Sequence, residues 1–269
     1  MILKFWGTRG SFPVAGRHYL RFGGTTSCAS LEVDEETYVV VDAGTGIRKL
    51  GESLAQRGNL KRIFLFLTHF HLDHVSGLPS FAPLYDSKFS LTIYSPLSVF
   101  ETRRQLDRLM GGRFFPVSFS ATGCQKEIRP LRGKVDLGPL TAYSFPLPHP
   151  QGNVGLRFER DGCSVVFATD AEPLEGRWSK EVVESVREAA CLIAEGMFTP
   201  EEYRQGKKGW GHGTWRDAVT LAREARCRQL ILSHWNPGHE DGKIKAIINA
   251  ARQEYSLVYG ARPGLKLKV

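Results

Sequence analysis

The chain has 269 residues, of which 42% are hydrophobic, so it can bury a substantial core. Lys and Arg outnumber Asp and Glu by 36 to 28, which gives a formal charge of +8. That balance favours an anionic substrate such as a phosphate ester or a nucleic acid, with a merely basic soluble surface as the alternative. No apolar run approaches the roughly 20 residues that span a bilayer, and the chain start is too short in apolar length for a signal peptide. We therefore expect one soluble domain, residues 1–269, with no membrane partner.

Cysteine usage indicates the compartment. The five cysteines are scattered singly, with no Cys-x-x-Cys pair. This pattern predicts neither a disulfide framework nor a thiolate zinc site, and it fits a reducing environment. We expect a cytoplasmic protein.

The first part of the chain predicts strands followed by a helix. The strands are predicted at Ile2–Trp6, Ser27–Val33 and Tyr38–Val41, and the helix runs through Ile47 to Gln56. Asp42 lies between the last of these strands and the helix. Its carboxylate is a candidate either to cap the helix or to hold a metal-binding histidine by its second ring nitrogen, and capping is the favoured alternative.

The next predicted strand, Ile63–Leu67, leads directly into the sequence Thr-His-Phe-His-Leu-Asp-His at Thr68–His74. The strand is apolar without alternation, as expected for a central strand covered on both faces. His69 and His71 are two residues apart, so on extended backbone their side chains point the same way. Three imidazoles and a carboxylate would crowd one another in a simply solvated loop, so we interpret the stretch as a metal site at a strand end.

The middle of the chain is harder to interpret. A short helix is expected toward Tyr85, a strand at Leu91–Tyr94 and a helix over Leu97–Met110. The stretch Gly111–Gly138 shows no clear periodicity. It is a candidate insertion that carries substrate contacts.

The second half repeats the alternation of strands and helices. The predicted elements are strands Leu140–Phe145, Val154–Glu159 and Ser164–Ala168, a helix over Ser179–Ala190, strand Cys191–Ala194, helix Thr214–Ala225, strand Gln229–Ser233 and helix Asp241–Glu254. The first three read as antiparallel hairpins. The similar pattern of the two halves suits two sheets packed face to face with helices outside.

Three later strands are each followed by a residue that can bind metal. These residues are His149, Asp170 and His234. A lone histidine on such a loop is more often a hydrogen-bonded structural residue. Repetition at strand ends favours further metal ligands instead, and two metals need about this many.

The pattern His69-x-His71-x-Asp73-His74, followed by His149, Asp170 and His234, resembles the metallo-β-lactamase superfamily. The resemblance implies an αββα sandwich, an α/β fold of two mixed β-sheets packed face to face with helices on both outer sides. It also implies two divalent metal ions, with zinc the commonest occupant and manganese or iron in some branches. By the same resemblance, one ion takes the residues matching His69, His71 and His149. The other takes those matching Asp73, His74 and His234, and Asp170 bridges both.

Asp73 and three further motifs resemble the phosphodiesterase branch of that superfamily, which includes ribonuclease Z relatives and phosphoribosyl cyclic phosphodiesterases. The motifs are Lys4–Ser11, Gly23–Cys28 and Gly209–Trp215. Two residues depart from the branch pattern. Gly213 stands where many relatives have Ser, and Asn236 stands where Asp is usual. These two residues therefore do not identify the exact substrate.

The expected mechanism is attack on phosphorus by a hydroxide that bridges the two metals, with Asp73 as a ligand of the second metal and His212 as general acid. His212 lies in a glycine-flanked loop before a predicted helix, so capping that helix or binding a carbonyl is the alternative. Glu195 is a candidate to hold an imidazole, and His239 to contact phosphate or cap the last helix.

We therefore expect a phosphodiesterase acting on a cyclic or small nucleotide-type phosphodiester. Ribonuclease Z-like RNA processing is the nearest alternative, although no long basic arm for RNA is evident. A thioester or lactone hydrolase is another, and a non-catalytic metal-binding sensor or interaction module belongs to a different class. A homodimer remains open.

Overall fold

The computed structural model describes residues 1–57 and 62–269. Its contacts cluster into two compact units. Residues 1–7, 25–131 and 263–268 form the first unit, and residues 8–24, 132–262 and 269 form the second. Each unit contains one seven-stranded sheet. A single domain over residues 1–269 stays a prediction.

The strands alternate with helices along the chain, as the sequence predicts. The strands are β1 (Ile2–Gly7), β2 (Cys28–Glu32), β3 (Thr37–Val41), β4 (Arg62–Phe66), β5 (Ser90–Ser95), β6 (Gln125–Pro130), β7 (Lys134–Asp136), β8 (Thr141–Leu147), β9 (Asn153–Arg160), β10 (Cys163–Ala168), β11 (Cys191–Glu195), β12 (Leu230–Ser233), β13 (Val258–Gly260) and β14 (Lys266–Lys268). The helices are α1 (Ile47–Ala55), α2 (Leu72–Val75), α3 (Val99–Leu109), α4 (Lys180–Val186), α5 (Pro200–Arg204), α6 (Trp215–Glu224) and α7 (Asp241–Glu254). None of the helices in the described ranges has the length and apolar character needed to cross a membrane.

The first sheet has the order β14-β1-β2-β3-β4-β5-β6. Its strands pair antiparallel from β14 to β3 and parallel from β3 to β6. β4 is therefore a central strand with a parallel neighbour on each side, as its apolar run predicts, and Ile63 and Leu65 are buried. On α1, Ile47, Leu50 and Leu54 recur at three- and four-residue spacing and join the same apolar cluster.

The second sheet has the order β13-β12-β11-β10-β9-β8-β7. From β7 to β10 the pairs are antiparallel, which confirms the predicted hairpins, and from β10 to β13 they are parallel. The carboxyl ends of the parallel strands β10, β11 and β12 lie at one edge of this sheet. The side chains that follow these strands are thereby brought together.

The structure corrects the interpretation of Gly111–Gly138 as an insertion. Residues 125–130 form β6, the edge strand of the first sheet, and residues 134–136 form β7, the edge strand of the second. Edge strands are only partly covered, so both sequences are rich in charge and lack an apolar run. The strands β13 and β14 are also edge strands and have only three residues each, so the sequence did not predict them.

The predicted metal-binding motif, Thr68–His74, enters a helix earlier than expected. α2 starts at Leu72, inside the motif, and two 3₁₀ turns, Leu78–Ser80 and Ala82–Tyr85, replace the single short helix predicted toward Tyr85. Asp73 and His74 thus lie on the first turn of a helix rather than in an irregular loop.

The central position of β4 predicts a large effect of a cavity there. Leu65 is 0% exposed in the apolar cluster of the first unit, so Leu65→Ala should lower the free energy of unfolding by about 2–5 kcal/mol. Urea denaturation measures the change. Leu20, which is 81% exposed, supplies the control, because Leu20→Ala should stay within about 0.5 kcal/mol of the wild type. Equal losses in the two variants would contradict the central placement of β4.

Candidate metal centre

The predicted metal-binding motif forms one compact donor set in the first unit. After β4 ends at Phe66, the chain bends at Thr68 and continues to His71, which has extended backbone angles with φ −64° and ψ 149°, and then enters α2. The His69 ring centroid lies 4.6 Å from that of His71 and 4.2 Å from that of His74. Asp73 and His74 are buried. The motif therefore gathers its imidazoles and its carboxylate into a small volume.

Asp42 forms hydrogen bonds with Thr68 and His74 of this motif. Its Oδ1 accepts a hydrogen bond of 2.9 Å from the backbone N–H of Thr68, and its Oδ2 lies 2.8 Å from Nδ1 of His74. The favoured interpretation of Asp42 as a helix cap is wrong, since α1 begins after Gly46 and has no side-chain cap. Asp42 instead has a φ of 60°, a left-handed conformation that aspartate tolerates better than most residues.

The orientation of His74 suits a metal. With Nδ1 on Asp42, Nε2 of His74 lies 3.3 Å from Oδ2 of Asp73. Two ligands about 2.1 Å from one tetrahedral zinc stand about 3.4 Å apart, so this pair has the spacing of neighbouring ligands. His69 is held in a similar way, with its Nδ1 3.0 Å from the Thr68 hydroxyl. A hydrogen bond to the second ring nitrogen is usual for metal-ligating histidines.

A second donor set lies in the second unit, at the carboxyl ends of β10, β11 and β12. Asp170, Glu195 and His234 are each buried, and Nε2 of His234 is 3.2 Å from Oδ1 of Asp170. Both Asp170 and His234 have left-handed backbones, with φ values of 56° and 54°. Such conformations are uncommon outside glycine, and aspartate and histidine adopt them more readily than most residues.

Gly10 packs against this second set. A Cβ added to Gly10 would lie 2.4 Å from Cε1 of His234, so any larger residue would displace the imidazole. Position 10 of the Lys4–Ser11 motif therefore requires glycine for steric reasons. His234 can keep its position only because residue 10 has no side chain.

His212 is bound to Glu195, a candidate partner for an imidazole. Oε2 of Glu195 lies 2.9 Å from Nδ1 of His212, while Oε1 accepts hydrogen bonds from the backbone N–H groups of Ala171 and Gly213. The alternative that His212 caps the following helix is wrong, because Thr214 caps α6 in a reciprocal capping box. Gly213, one of the two departures from the branch pattern, contributes its N–H to Glu195.

His149 is held by the same loop as His212. Nδ1 of His149 lies 2.8 Å from the backbone oxygen of Gly211, and the two imidazole centroids are 5.3 Å apart. His149 thus lies beside the second donor set, and its Nδ1 forms a hydrogen bond. The pattern matches that of His69 and His74.

His239 is buried, and its Nε2 lies 2.9 Å from Oε1 of Glu202. Burial lowers the pKa of His239, although the Glu202 carboxylate acts in the opposite direction. The alternative that it caps the last helix is wrong, since the residue before α7 is Glu240. Its contact with Glu202 makes it a support of the loop that follows His234.

Arg9 is a buried residue whose role sequence reasoning missed. Its guanidinium is 0% exposed and donates hydrogen bonds to the backbone oxygens of Gly23, Asn236 and His239. Arg9 thereby ties the loop after His234 to the N-terminal segment of the second unit. Asn236, the other departure, turns its side-chain oxygen to the N–H of Gly238. The only available signal was the position of Arg9 in the Lys4–Ser11 motif.

Comparison with known proteins identifies the family. Residues 37–235 match the model of the beta-lactamase superfamily domain. A ribonuclease Z from Methanosarcina mazei is 26% identical, in an alignment that covers 98% of this chain and 97% of that protein. The likeness thus extends over the whole length of both sequences.

Solved structures show the same fold. The metallo-beta-lactamase fold protein YhfI from Bacillus subtilis has a TM-score of 0.73 at 21% identity, covering 99% of this chain and 98% of its own. A diphosphatase from the PhnP family has a TM-score of 0.73 at 17% identity, covering 100% and 97%. The predicted fold class and family are confirmed. The chain belongs to the beta-lactamase superfamily and is a hydrolase with the metallo-β-lactamase fold.

Proposed function

We propose that the protein is a phosphodiesterase that uses two divalent metal ions, with a cyclic or small nucleotide-type phosphodiester as substrate. The observation that carries the proposal is the orientation of His69, His74 and His149. Each is held through Nδ1 by a hydroxyl, a carboxylate or a backbone oxygen. Such partners fix the ring and its tautomer for metal binding through Nε2.

The ligand assignment follows the superfamily pattern. By that pattern His69, His71 and His149 would hold one ion, Asp73, His74 and His234 would hold the other, and Asp170 would be a ligand of both. Imidazole nitrogens and carboxylate oxygens without a thiolate suit zinc, with manganese or iron as alternatives. When bound, the ions lower the pKa of water toward 7 and stabilise the charge of the entering and leaving oxygens.

The choice of a phosphodiester rests on the relatives and on charge. One relative is named a ribonuclease and one structural neighbour a diphosphatase. Both names refer to cleavage at phosphorus. The formal charge of +8 suits an anionic substrate.

RNA processing of the ribonuclease Z type is the second candidate. It is favoured by the alignment with the Methanosarcina mazei protein over 98% of this chain. The two candidates share the chemistry of the reacting phosphodiester. They differ in the size of the substrate, so one panel tests both.

Within the second unit, His212 has the contacts of a general acid. Glu195 holds its Nδ1, and the His212 side chain is 12% exposed, so the imidazole is fixed yet open to a ligand. A carboxylate on one nitrogen stabilises the protonated ring, and the other nitrogen can then donate a proton to a leaving alkoxide. Glu195 acts through His212 and is a positioning residue.

A substrate panel tests the proposed function. Metal-loaded protein should hydrolyse 2′,3′-cyclic nucleotides or linear phosphodiesters at least tenfold faster than thioesters, lactones or β-lactams. Faster cleavage of a precursor RNA than of any small phosphodiester would favour the RNA-processing candidate. Turnover of thioesters ahead of phosphodiesters would contradict the proposal, and no turnover of any substrate would favour a non-catalytic metal-binding module.

His212→Ala tests the general acid. A poor leaving group such as an alkoxide needs a proton, whereas nitrophenolate needs little, so kcat for an alkyl phosphodiester should fall about 10²–10⁴-fold and kcat for a nitrophenyl ester much less. Steady-state kinetics with both substrates give the comparison. His18→Ala, at a half-exposed side chain, is the matched control. Equal losses with the two leaving groups would show that His212 only positions the substrate.

A further inference from the structure

A groove in the first unit begins at the metal-binding motif. It has a volume of about 700 Å³, within the range of roughly 300–1,000 Å³ typical of small-molecule sites. Side chains of the motif, of α3 and of the segment after α3 line it: Phe70, Leu72, Gln105, Arg108, Phe114 and Phe115. We call it the Phe114 groove. Its wall includes Leu72, which directly precedes the metal-ligand candidate Asp73.

The groove exposes large apolar side chains. Phe114 is 86% exposed and Leu72 is 64% exposed, whereas Phe70 and Phe115 pack on the apolar cluster of the first unit. The inner rings are therefore fixed, and Phe114 projects at the rim. Adjacent exposed apolar side chains that border a concave surface indicate a binding site.

The segment that contributes α3 and Phe114 to the groove is basic, and Arg108 of this segment lines the groove. Arg103, Arg104 and Arg108 lie on α3, and Arg113 immediately precedes Phe114; all four are exposed. Over the described ranges, none of these four guanidinium groups forms an ion pair. The acidic residues of α3, Glu101 and Asp107, leave an excess of positive charge. An apolar groove that has Arg108 in its wall and lies on a basic segment suits a ligand that combines a flat ring with phosphate.

The polar side chains that line the groove further restrict the chemical class of its ligand. The Gln105 carboxamide offers both a donor and an acceptor to the edge of a base, and the Arg108 guanidinium can stack on a ring or contact a phosphate. Aromatic rings together with arginine are the usual means of holding an unpaired nucleobase. A purely aliphatic ligand would use neither the carboxamide nor the guanidinium.

We propose that the Phe114 groove binds the nucleobase of the nucleotide whose phosphodiester is cleaved, with Phe114 as the stacking residue. The inference rests on the proposed function, because it places the base next to the motif that carries the metal ligands. It assigns substrate selection to α3 and to the segment at residues 111–115. That segment belongs to Gly111–Gly138, the stretch whose sequence predicts substrate contacts.

Two substrates with the same leaving group test the proposal. The p-nitrophenyl ester of thymidine 5′-monophosphate carries a base, and methyl p-nitrophenyl phosphate does not. The measured quantity is the ratio of their kcat/KM values with metal-loaded protein. Phe114→Ala should lower this ratio about tenfold through KM, because stacking of one base is lost.

Two further variants make the result specific. Phe114→Tyr keeps the ring and should keep the ratio. Phe100→Ala removes a ring on α3 that is 73% exposed but does not line the groove, so this variant should also keep the ratio. An unchanged ratio in Phe114→Ala, or an equal fall in Phe100→Ala, would overturn the proposal.

A binding measurement separates this inference from the proposed activity. Titration calorimetry should show uridine 5′-monophosphate binding more tightly than ribose 5-phosphate, with the difference lost in Phe114→Ala. That result would support the groove even if no phosphodiester were hydrolysed. Hydrolysis without any preference for the base would leave the proposed function standing and refute the groove.

The same titration identifies the source of the base. A mononucleotide and a short single-stranded oligoribonucleotide both carry the base. Tighter binding of either one shows which size of substrate the groove prefers, and either result supports the proposal.

A second copy of the chain is the alternative occupant of the groove. Dimerisation that Phe114→Ala abolishes, with no loss of base preference, would assign the surface to that copy and overturn the proposal.

Discussion

The hydrogen bond between Asp42 and His74 is the contact on which the first donor set depends. His74 is 0% exposed, and Asp42 is 3% exposed. A buried carboxylate is stable only when hydrogen bonds or a counter charge compensate for lost hydration, and Asp42 has the Thr68 N–H, the Thr68 hydroxyl and the His74 ring. The same contact fixes the tautomer of His74. It therefore links the end of β3 to the histidine motif after β4.

In the second unit a different buried carboxylate, that of Glu195, orients an imidazole. Glu195, at the end of β11, receives two backbone N–H groups through Oε1 and holds His212 through Oε2. Asp170 and His234 both have left-handed backbones, their side chains lie 3.2 Å apart, and Gly10 leaves room for the His234 ring. In both units, parallel strands bring the side chains to one sheet edge, and a buried carboxylate orients an imidazole there.

Sequence alone predicted the features that depend on local pattern. The unbroken apolar run predicted β4 as a central strand, and the ligand-type residues after successive strands predicted that Asp170 and His234 lie together. It failed where the partner is distant in sequence. Asp42 was interpreted as a cap because the local context resembles a helix start, whereas its partner lies 32 residues away. Arg9 escaped because its acceptors at Asn236 and His239 belong to a loop more than 200 residues later.

Metal content gives the most direct test of the account. Elemental analysis of wild-type protein after metal-replete expression should find close to two divalent ions per chain. Asp42→Asn keeps the size of residue 42 but removes the charge behind His74, so resistance of the bound metal to a chelator should fall about 10–100-fold. Asp34→Asn, at an exposed turn, should leave it unchanged. A wild-type content near zero, or equal chelator resistance in the two variants, would contradict the account.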